Sequence, residues 1–242
     1  MPTTLDSGYE ITAHTGREAM VLTLTQQICR ALMRALNVRG RASLAVSGGS
    51  TPKPLYEALS REPLDWEKVT VILVDERWVD PGQPGSNEDF VRSTLLQNEA
   101  ANARFIGLKN SAQSPAEGLE ERLAALPEDL LPLDVAVLGM GNDGHTASWF
   151  PEAEGLAGAL DLSAPPLAAI TAHQSAVTGD HLERVTLTLP VIANAAMNLL
   201  MITGPEKQRA LEMARIDGPD ERMPVRALLR ASRINLQIHW SL

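Results

Sequence analysis

His145 is the side chain best suited to proton-transfer chemistry in this sequence of 242 residues. It ends the segment Gly139-Met140-Gly141-Asn142-Asp143-Gly144-His145, in which Asp143 places a carboxylate close by. An imidazole titrates near neutral pH, so it can take a proton from water and return it to a leaving group. We therefore treat His145 as a candidate acid–base residue, with a structural histidine as the open alternative.

The same segment also fits a dinucleotide-binding pattern, because Gly139, Gly141 and Gly144 have Gly-x-Gly-x-x-Gly spacing. Asp161 lies near the position expected for a ribose-binding carboxylate. However, Pro151 follows soon afterwards and leaves little helix to hold a pyrophosphate. The segment therefore favours a loop at a binding edge over a nicotinamide site.

Two further segments could bind an anion. In Ser47-Gly48-Gly49-Ser50-Thr51-Pro52 the glycines let the backbone approach a ligand, Ser50 or Thr51 can cap a following helix, and its free N–H groups attract anions. It lacks the Gly-Lys-Ser/Thr ending of a Walker P-loop. In Asp75-Glu76-Arg77, the guanidinium of Arg77 matches carboxylate or phosphate bidentately. A tight turn and a solvated loop are the alternatives that these segments leave open.

Lys207 and Arg184 could complete a local group of cations. Lys207 comes shortly after Gly204 at a predicted helix start, and Arg184 opens a predicted strand. An acidic protein binds an anionic metabolite only where cations and N–H groups converge locally. Taken singly, each of these two residues is more simply an ordinary surface charge.

No covalent nucleophile or metal-ligand set is apparent. The sequence has no Gly-x-Ser-x-Gly elbow, and Cys29 lies beside the apolar stripe of the first predicted helix. His14, His173, His181 and His239 do not form a spacing such as His-Glu-x-x-His. Nothing in the sequence therefore requires a metal, although one is possible, and Cys29 is predicted to lie in the core.

Alternating helices and apolar strands have to position these segments. Apolar periodicity predicts helices over 16–36, 54–59, 87–95, 116–126, 225–229 and from Pro205 to about 216. Apolar runs predict strands over 42–46, 69–74, 134–138, 168–171, 184–189, 198–203 and 234–240. This order predicts an α/β fold with a mostly parallel sheet and helices on both faces, as a single domain over 1–242. Ligands bind beyond the carboxyl ends of such strands, so the candidate segments are expected to gather at one edge.

The composition limits the partners. A net charge of −9 and a pI near 5.1 argue against nucleic-acid binding, which needs Lys and Arg against the phosphates. No apolar run approaches the roughly 18 residues of a membrane helix, and Met1 to Glu10 does not resemble a secretory signal. The single cysteine excludes an internal disulfide. The sequence therefore predicts a cytoplasmic protein with neither a nucleic-acid nor a membrane partner.

Together, the segments resemble the 6-phosphogluconolactonase family, which lies within a larger group that includes glucosamine-6-phosphate deaminases. The similarity runs from about 45 to 227 and preserves both order and spacing. The matching residues are Ser47-Gly48-Gly49-Ser50-Thr51-Pro52, Asp75-Glu76-Arg77, Ser86-Asn87, Arg92, Gly139 to Pro151, Arg184-Val185-Thr186 and Gly204-Pro205-Glu206-Lys207.

The resemblance implies a Rossmann-like fold of the sugar-phosphate isomerase/lactonase type. It implies hydrolysis of 6-phospho-D-glucono-1,5-lactone in the oxidative pentose phosphate pathway, with His145 as general base and Asp143 orienting its ring. The substrate contacts it implies are Gly48, Gly49, Ser50, Thr51, Asp75, Arg77, Asn87, Arg184 and Lys207. It implies no cofactor or metal and a small sugar-phosphate lactone as ligand. The sequence does not determine the oligomeric state, for which a monomer is the favoured expectation.

Two rival functions remain to be compared. Deaminases of the group carry a Glu five residues after the His, whereas this chain has Phe150 there, as lactonases do. Trp149 stands where lactonases commonly have Leu, a conservative apolar change. A sugar-phosphate sensor without turnover would need a DNA-binding module, for which the residues before Ser47 leave no room, and would more naturally lack His145.

Overall fold

A computed structural model describes residues 9–232 and 234–242, and two β-sheets organise them. The strands are β1 Tyr9–Ala13, β2 Ala42–Val46, β3 Val69–Leu73, β4 Asp75–Arg77, β5 Arg104–Ile106, β6 Val135–Leu138, β7 Leu167–Thr171, β8 Glu183–Leu187, β9 Met197–Thr203 and β10 Leu236–Ser241. Seven of them form one sheet in the order β1-β10-β9-β6-β2-β3-β5, in which every pairing is parallel. The other three form an antiparallel sheet in the order β4-β8-β7.

Eight α-helices accompany the described strands. They are α1 Arg17–Arg39, α2 Lys53–Leu59, α3 Asn87–Thr94, α4 Pro115–Ala124, α5 Leu156–Leu160, α6 Leu189–Ala193, α7 Pro205–Ala214 and α8 Val225–Arg230. Helix α1 ends where Gly40 adopts a left-handed conformation (φ 72°), which glycine tolerates without steric cost. The side chains of Ser86 and Ser114 cap α3 and α4 by accepting backbone N–H groups of the first turn. Within the described residues, no helix is both long and apolar enough to cross a membrane.

The core lies between the parallel sheet and its helices. Every residue of β2 and β6 is buried, as expected for central strands covered on both faces. Helix α1 buries Met20, Leu24, Ile28 and Leu32 completely, which is the apolar stripe that the sequence predicts. Cys29 is buried beside this stripe, also as predicted.

The predicted α/β fold with a mostly parallel sheet is confirmed. The strands predicted over 168–171 and 184–189 correspond to β7 and β8, which pair antiparallel with each other outside the parallel sheet. The second of these ends at Leu187, because Leu189 already begins α6. Strands β1, whose residues are mostly exposed, and β5, which has three residues, were not predicted from the apolar pattern. The single-domain organisation stays a prediction.

The antiparallel sheet adds a second wall beside the carboxyl edge of the parallel sheet. Asp75 to Arg77 directly continue the chain after β3, and the backbone N–H of Leu187 donates to the carbonyl of Val74 (2.8 Å). Strand β8 lies between β4 and β7 and pairs Arg184 with Arg77. This arrangement carries Arg184 to the edge where ligands bind in α/β sheets.

Candidate active site

A cavity of about 360 Å³ lies at the carboxyl edge of the parallel sheet. The segments after β2, β3, β6 and β9 meet there, together with part of β8. Its wall contains ten of the eleven residues singled out from the sequence: Gly48, Gly49, Ser50, Thr51, Asp75, Arg77, Asn87, His145, Arg184 and Lys207. The eleventh, Asp143, contacts His145 from outside this wall.

The His145 imidazole is held by Asp143. Nδ1 lies 2.7 Å from Oδ1 of Asp143, and that oxygen also accepts the backbone N–H of His145 at 3.2 Å. A carboxylate can only accept at this position, so Nδ1 carries the hydrogen and Nε2 of the neutral ring keeps a free lone pair. Burial acts to raise the pKa of Asp143, but the hydrogen bonds and charge interaction with His145 outweigh it and hold this pKa below its usual value.

The Gly48 loop approaches Asn87 closely. A Cβ atom at Gly48 would lie 1.9 Å from Oδ1 of Asn87, so any larger residue would displace the Asn87 side chain. Gly49 has a φ of 103°, which also favours glycine. The expectation that Ser50 or Thr51 caps the following helix is wrong: Pro52 occupies the N-cap position, and no side chain caps α2.

Asp75 is anchored from two sides. The Ser148 hydroxyl donates to Oδ2 of Asp75 at 2.6 Å, and the Asn87 side chain donates to its backbone carbonyl at 2.8 Å. The surrounding segment is strand β4 and not the solvated loop that the sequence left open. Asp75 therefore presents a fixed carboxylate at the cavity wall.

Glu76 is a buried carboxylate that joins β4 to the N-terminus of α3. It is 1% exposed and accepts the backbone N–H groups of Arg77, Asn87 and Glu88, each at 2.8 Å. The hydroxyl of Ser86 adds a longer contact of 3.3 Å. Burial raises the pKa of Glu76 to about 7, although the three N–H groups act in the opposite direction. Glu76 does not line the cavity, but it fixes the backbone of two residues that do.

Arg184 is a buried cation in this wall. It is 3% exposed, and its Nε and Nη2 donate to the carbonyls of His181 (2.6 Å) and Thr178 (3.0 Å). Its Cζ lies 5.3 Å from the ring centre of Phe150, within cation–π range. Burial lowers the pKa of Arg184 to about 10, with Asp75 acting in the opposite direction. The guanidinium stays charged at neutral pH.

Two more cations complete the wall. Nη1 of Arg77 donates to the carbonyl of Gly85. Burial lowers the pKa of Lys207, and the charge of Asp143 acts in the opposite direction. The cavity thus brings three positive charges to one side of an acidic protein, as recognition of a phosphorylated ligand requires.

The sequence of this chain matches a family model. The family is described as glucosamine-6-phosphate isomerases/6-phosphogluconolactonase, and the match covers residues 15–240. The chain belongs to this family.

Similar proteins and solved structures carry the name 6-phosphogluconolactonase. The 6-phosphogluconolactonase of Pseudomonas aeruginosa is 46% identical over 222 residues, covering 90% of this chain and 88% of the relative. The 6-phosphogluconolactonase of Rhizobium meliloti is 42% identical over 226 residues, which cover 92% of this chain and 94% of the relative. The crystal structure of a 6-phosphogluconolactonase from Shewanella baltica superposes with a TM-score of 0.90 at 38% identity, covering 97% of this chain and 98% of the other. The chain is therefore an enzyme of the glucosamine-6-phosphate isomerase/6-phosphogluconolactonase family.

Phe150, which stands where the deaminases of the family carry a Glu, packs directly on the candidate base. Its ring centre lies 4.5 Å from that of His145. Phe150 is almost completely buried and also lines the cavity. No carboxylate other than Asp143 contacts the imidazole among the described residues.

Three residues that shape the site were not among the predicted site residues. Ser47 lines the cavity, and its position directly after β2 was a usable signal. Glu76 and Ser148 are recognisable only from tertiary structure, because their partners lie on α3 and β4. Within residues 9–232 and 234–242, no group of three or more His, Cys, Asp or Glu is placed to hold a metal ion.

Proposed function

We propose that this enzyme hydrolyses 6-phospho-D-glucono-1,5-lactone to 6-phospho-D-gluconate. The observation that carries the proposal is His145, held by Asp143, in a cavity wall that also contains Arg77, Arg184 and Lys207. A general base and a group of cations are what hydrolysis of a phosphorylated lactone needs. The names of the relatives support this substrate.

In the proposed reaction, Nε2 of His145 takes a proton from water as the water oxygen attacks the C1 carbonyl. The tetrahedral intermediate then collapses, the bond between C1 and the ring oxygen breaks, and the imidazolium returns the proton to that oxygen. The product is an open-chain acid, which ionises at neutral pH. Asp143 stabilises the imidazolium through Nδ1, and proton transfer of this kind contributes roughly 10²–10⁴-fold to the rate.

The three cations act on the two negatively charged groups of the reaction, the phosphate and the oxyanion. Arg77, Arg184 and Lys207 bind the phosphate and stabilise the oxyanion, together with N–H groups of the Gly48-Gly49-Ser50-Thr51 backbone. Asp75 and the Asn87 amide bind sugar hydroxyls. No cofactor takes part, because water is the second substrate.

Isomerisation of an amino-sugar phosphate is the rival within the family. Phe150 argues against it, because an apolar ring packs on His145 where the deaminases carry a carboxylate. We accordingly place the reaction in the oxidative pentose phosphate pathway. The cytoplasmic location and the monomeric state stay predictions.

Hydrolysis of freshly generated lactone by the wild type and by His145→Ala tests the proposal, after subtraction of spontaneous ring opening. We expect fast turnover by the wild type and a loss of at least about 100-fold in His145→Ala, with binding of 6-phosphogluconate retained. His173→Ala is the matched control, because the His173 side chain is exposed and, among the described residues, hydrogen-bonds only to the Glu152 carbonyl. A wild type that opens glucosamine 6-phosphate but not the lactone would refute the function. Undiminished turnover by His145→Ala would refute the mechanism alone.

A further inference from the structure

The Arg184 guanidinium is held in the cavity wall by the chain segment that joins β7 to β8. Its Nε and Nη2 donate to the carbonyls of His181 and Thr178, and both acceptors are backbone atoms of this segment. No carboxylate forms an ion pair with Arg184 among the described residues, so its orientation depends on these two carbonyls and on the Phe150 ring. Backbone carbonyls can direct a side chain only when their own segment is fixed.

The Thr178 side chain fixes this segment from within. Its hydroxyl donates to the carbonyl of His173 and accepts the backbone N–H of Ser175, both at 2.8 Å. The Ser175 hydroxyl in turn accepts the backbone N–H of Thr178 at 3.2 Å. These reciprocal bonds close one turn of chain as a capping box does, with Thr178 in the position that Glu or Gln usually takes. Thr178 is 6% exposed, so water does not readily replace its hydroxyl.

We propose that Thr178 is a positioning residue for substrate binding. Its side chain closes the turn, and its own carbonyl then orients the Arg184 guanidinium, whose remaining N–H groups bind the phosphorylated ligand. The identity of that ligand rests on the proposed function above, whereas the positioning role is tested by binding of 6-phosphogluconate alone.

Thr178→Val and Thr178→Ser separate the hydroxyl from the shape of the side chain. Valine keeps the shape but can neither donate to His173 nor accept from Ser175, so we expect the dissociation constant for 6-phosphogluconate to rise about fivefold. The KM for the lactone is expected to rise with it, with a smaller change in kcat. Serine keeps the hydroxyl and is expected to retain wild-type binding. Should Thr178→Val fail to fold, Ser175→Ala removes the other half of the turn at an exposed residue and gives the same test.

Thr94→Val is the matched control. The Thr94 hydroxyl is also buried and donates to a carbonyl, that of Phe90, at 2.7 Å, but Thr94 lies at the end of α3 and contacts neither the cavity nor Arg184. We expect a lower thermal unfolding midpoint in both valine variants and weaker binding only in Thr178→Val. The His173→Ala control above retains the backbone carbonyl that Thr178 contacts.

A double-mutant cycle with Arg184→Lys tests whether Thr178 acts through Arg184. If it does, Thr178→Val changes the dissociation constant by less than about twofold in the Arg184→Lys background, because the planar guanidinium that the turn orients is absent there. A general loss of stability would instead weaken binding equally in both backgrounds.

Three results would overturn the assignment. The first is binding by Thr178→Val within about twofold of the wild type, and the second is binding by Thr178→Ser as weak as that of Thr178→Val. The third is an equal effect of Thr178→Val in the two backgrounds of the cycle. If the wild type binds 6-phosphogluconate but does not open the lactone, the proposed function fails and the role of Thr178 is still decided by binding. If the wild type does not bind this ligand at all, both fail.

Discussion

The Asp143 carboxylate and the His145 imidazole form a pair in which one oxygen, Oδ1, contacts both the ring and the backbone of the histidine. The distances are 2.7 Å to Nδ1 and 3.2 Å to the backbone nitrogen. The pair is confined to a tight turn, since Gly141 N–H donates to the His145 carbonyl at 2.9 Å. Ring orientation and tautomer are therefore set by one side chain two residues away in the chain.

Asp143→Asn is expected to lower kcat about 100-fold or more while KM changes much less. The amide nearly preserves the shape but supplies no negative charge for the imidazolium, and its NH₂ group favours the wrong tautomer. Asp143 lies outside the cavity wall, so ligand binding is expected to persist. Initial rates over a range of lactone concentrations separate kcat from KM. Asp161→Asn is the control, because the Asp161 side chain is exposed and, among the described residues, hydrogen-bonds only to Ser163. A wild-type kcat in Asp143→Asn would contradict the proposed role.

Glu76 predicts a specific dependence of stability on pH. Its pKa in the folded protein is about 7, raised by burial above the value of 4.5 expected for an unfolded chain. The folded state therefore binds the proton more tightly, and the stabilisation is complete below about pH 4.5 and lost as the pH rises through 7. The difference corresponds to on the order of 3 kcal/mol of unfolding free energy.

Glu76→Gln is expected to remove this loss of stability. Chemical denaturation at several pH values between 4.5 and 8 measures it, as a flatter pH profile in the variant than in the wild type. In Glu76→Gln the side-chain NH₂ group replaces one carboxylate oxygen and cannot accept a backbone N–H at the start of α3. Asn87, which lines the cavity, is then expected to shift, and KM to rise. Glu117→Gln is the control, since Glu117 is an exposed carboxylate in the first turn of α4. Parallel pH profiles of Glu76→Gln and wild type would show that Glu76 does not titrate in this range.

The parts of the fold that the sequence predicted are those that depend on local apolar pattern. Strand β2 was predicted with its observed bounds, and α1 buries the stripe that its spacing indicates. Strand β4 consists of three charged residues, and its strand conformation results from pairing with β8, a contact distant in sequence. Single-sequence patterns contain no information about such pairings.

The same distinction applies to the site. Residues in the segments that follow strands, such as His145 after β6 and Lys207 in the first turn of the helix after β9, could be found because parallel strands end at one edge. The role of Glu76 could not, because it arises only when α3 docks its N-terminus on β4. The contact of Arg184 with the Thr178 carbonyl likewise becomes apparent only when the segment between β7 and β8 is folded.

Gly48→Ala is expected to disrupt the site by steric contact. The new methyl group would lie 1.9 Å from Oδ1 of Asn87, so the Asn87 side chain has to move and its bond to the Asp75 carbonyl is lost. We expect a destabilisation of about 1–3 kcal/mol and a fall in kcat/KM of at least tenfold. Denaturant unfolding and initial rates measure the two effects.

Gly158→Ala is the matched control for this substitution. Gly158 lies in α5, and a Cβ atom there meets nothing within 4 Å. Alanine in a helix interior is favoured over glycine, so this variant is expected to be as stable as the wild type or slightly more stable. If both variants behave alike, the close approach of Gly48 and Asn87 does not constrain the site.

Arg184→Lys is expected to weaken substrate binding although it preserves the charge. The guanidinium donates to two carbonyls, on His181 and Thr178, and also stacks on Phe150, whereas a single ammonium cannot reproduce this planar geometry. Lysine at a buried position also loses its charge more readily than arginine.

We expect KM for the lactone to rise at least tenfold in Arg184→Lys, with a smaller change in kcat. Arg104→Lys is the control, because Arg104 lies exposed on β5, away from the cavity wall. The decisive comparison is the ratio of the KM values in the two variants. If they are equal, the precise shape of the cation is unimportant, and Arg184 contributes only positive charge to the site. A large ratio means that the antiparallel sheet, which brings Arg184 to the edge of the parallel sheet, is part of the binding apparatus.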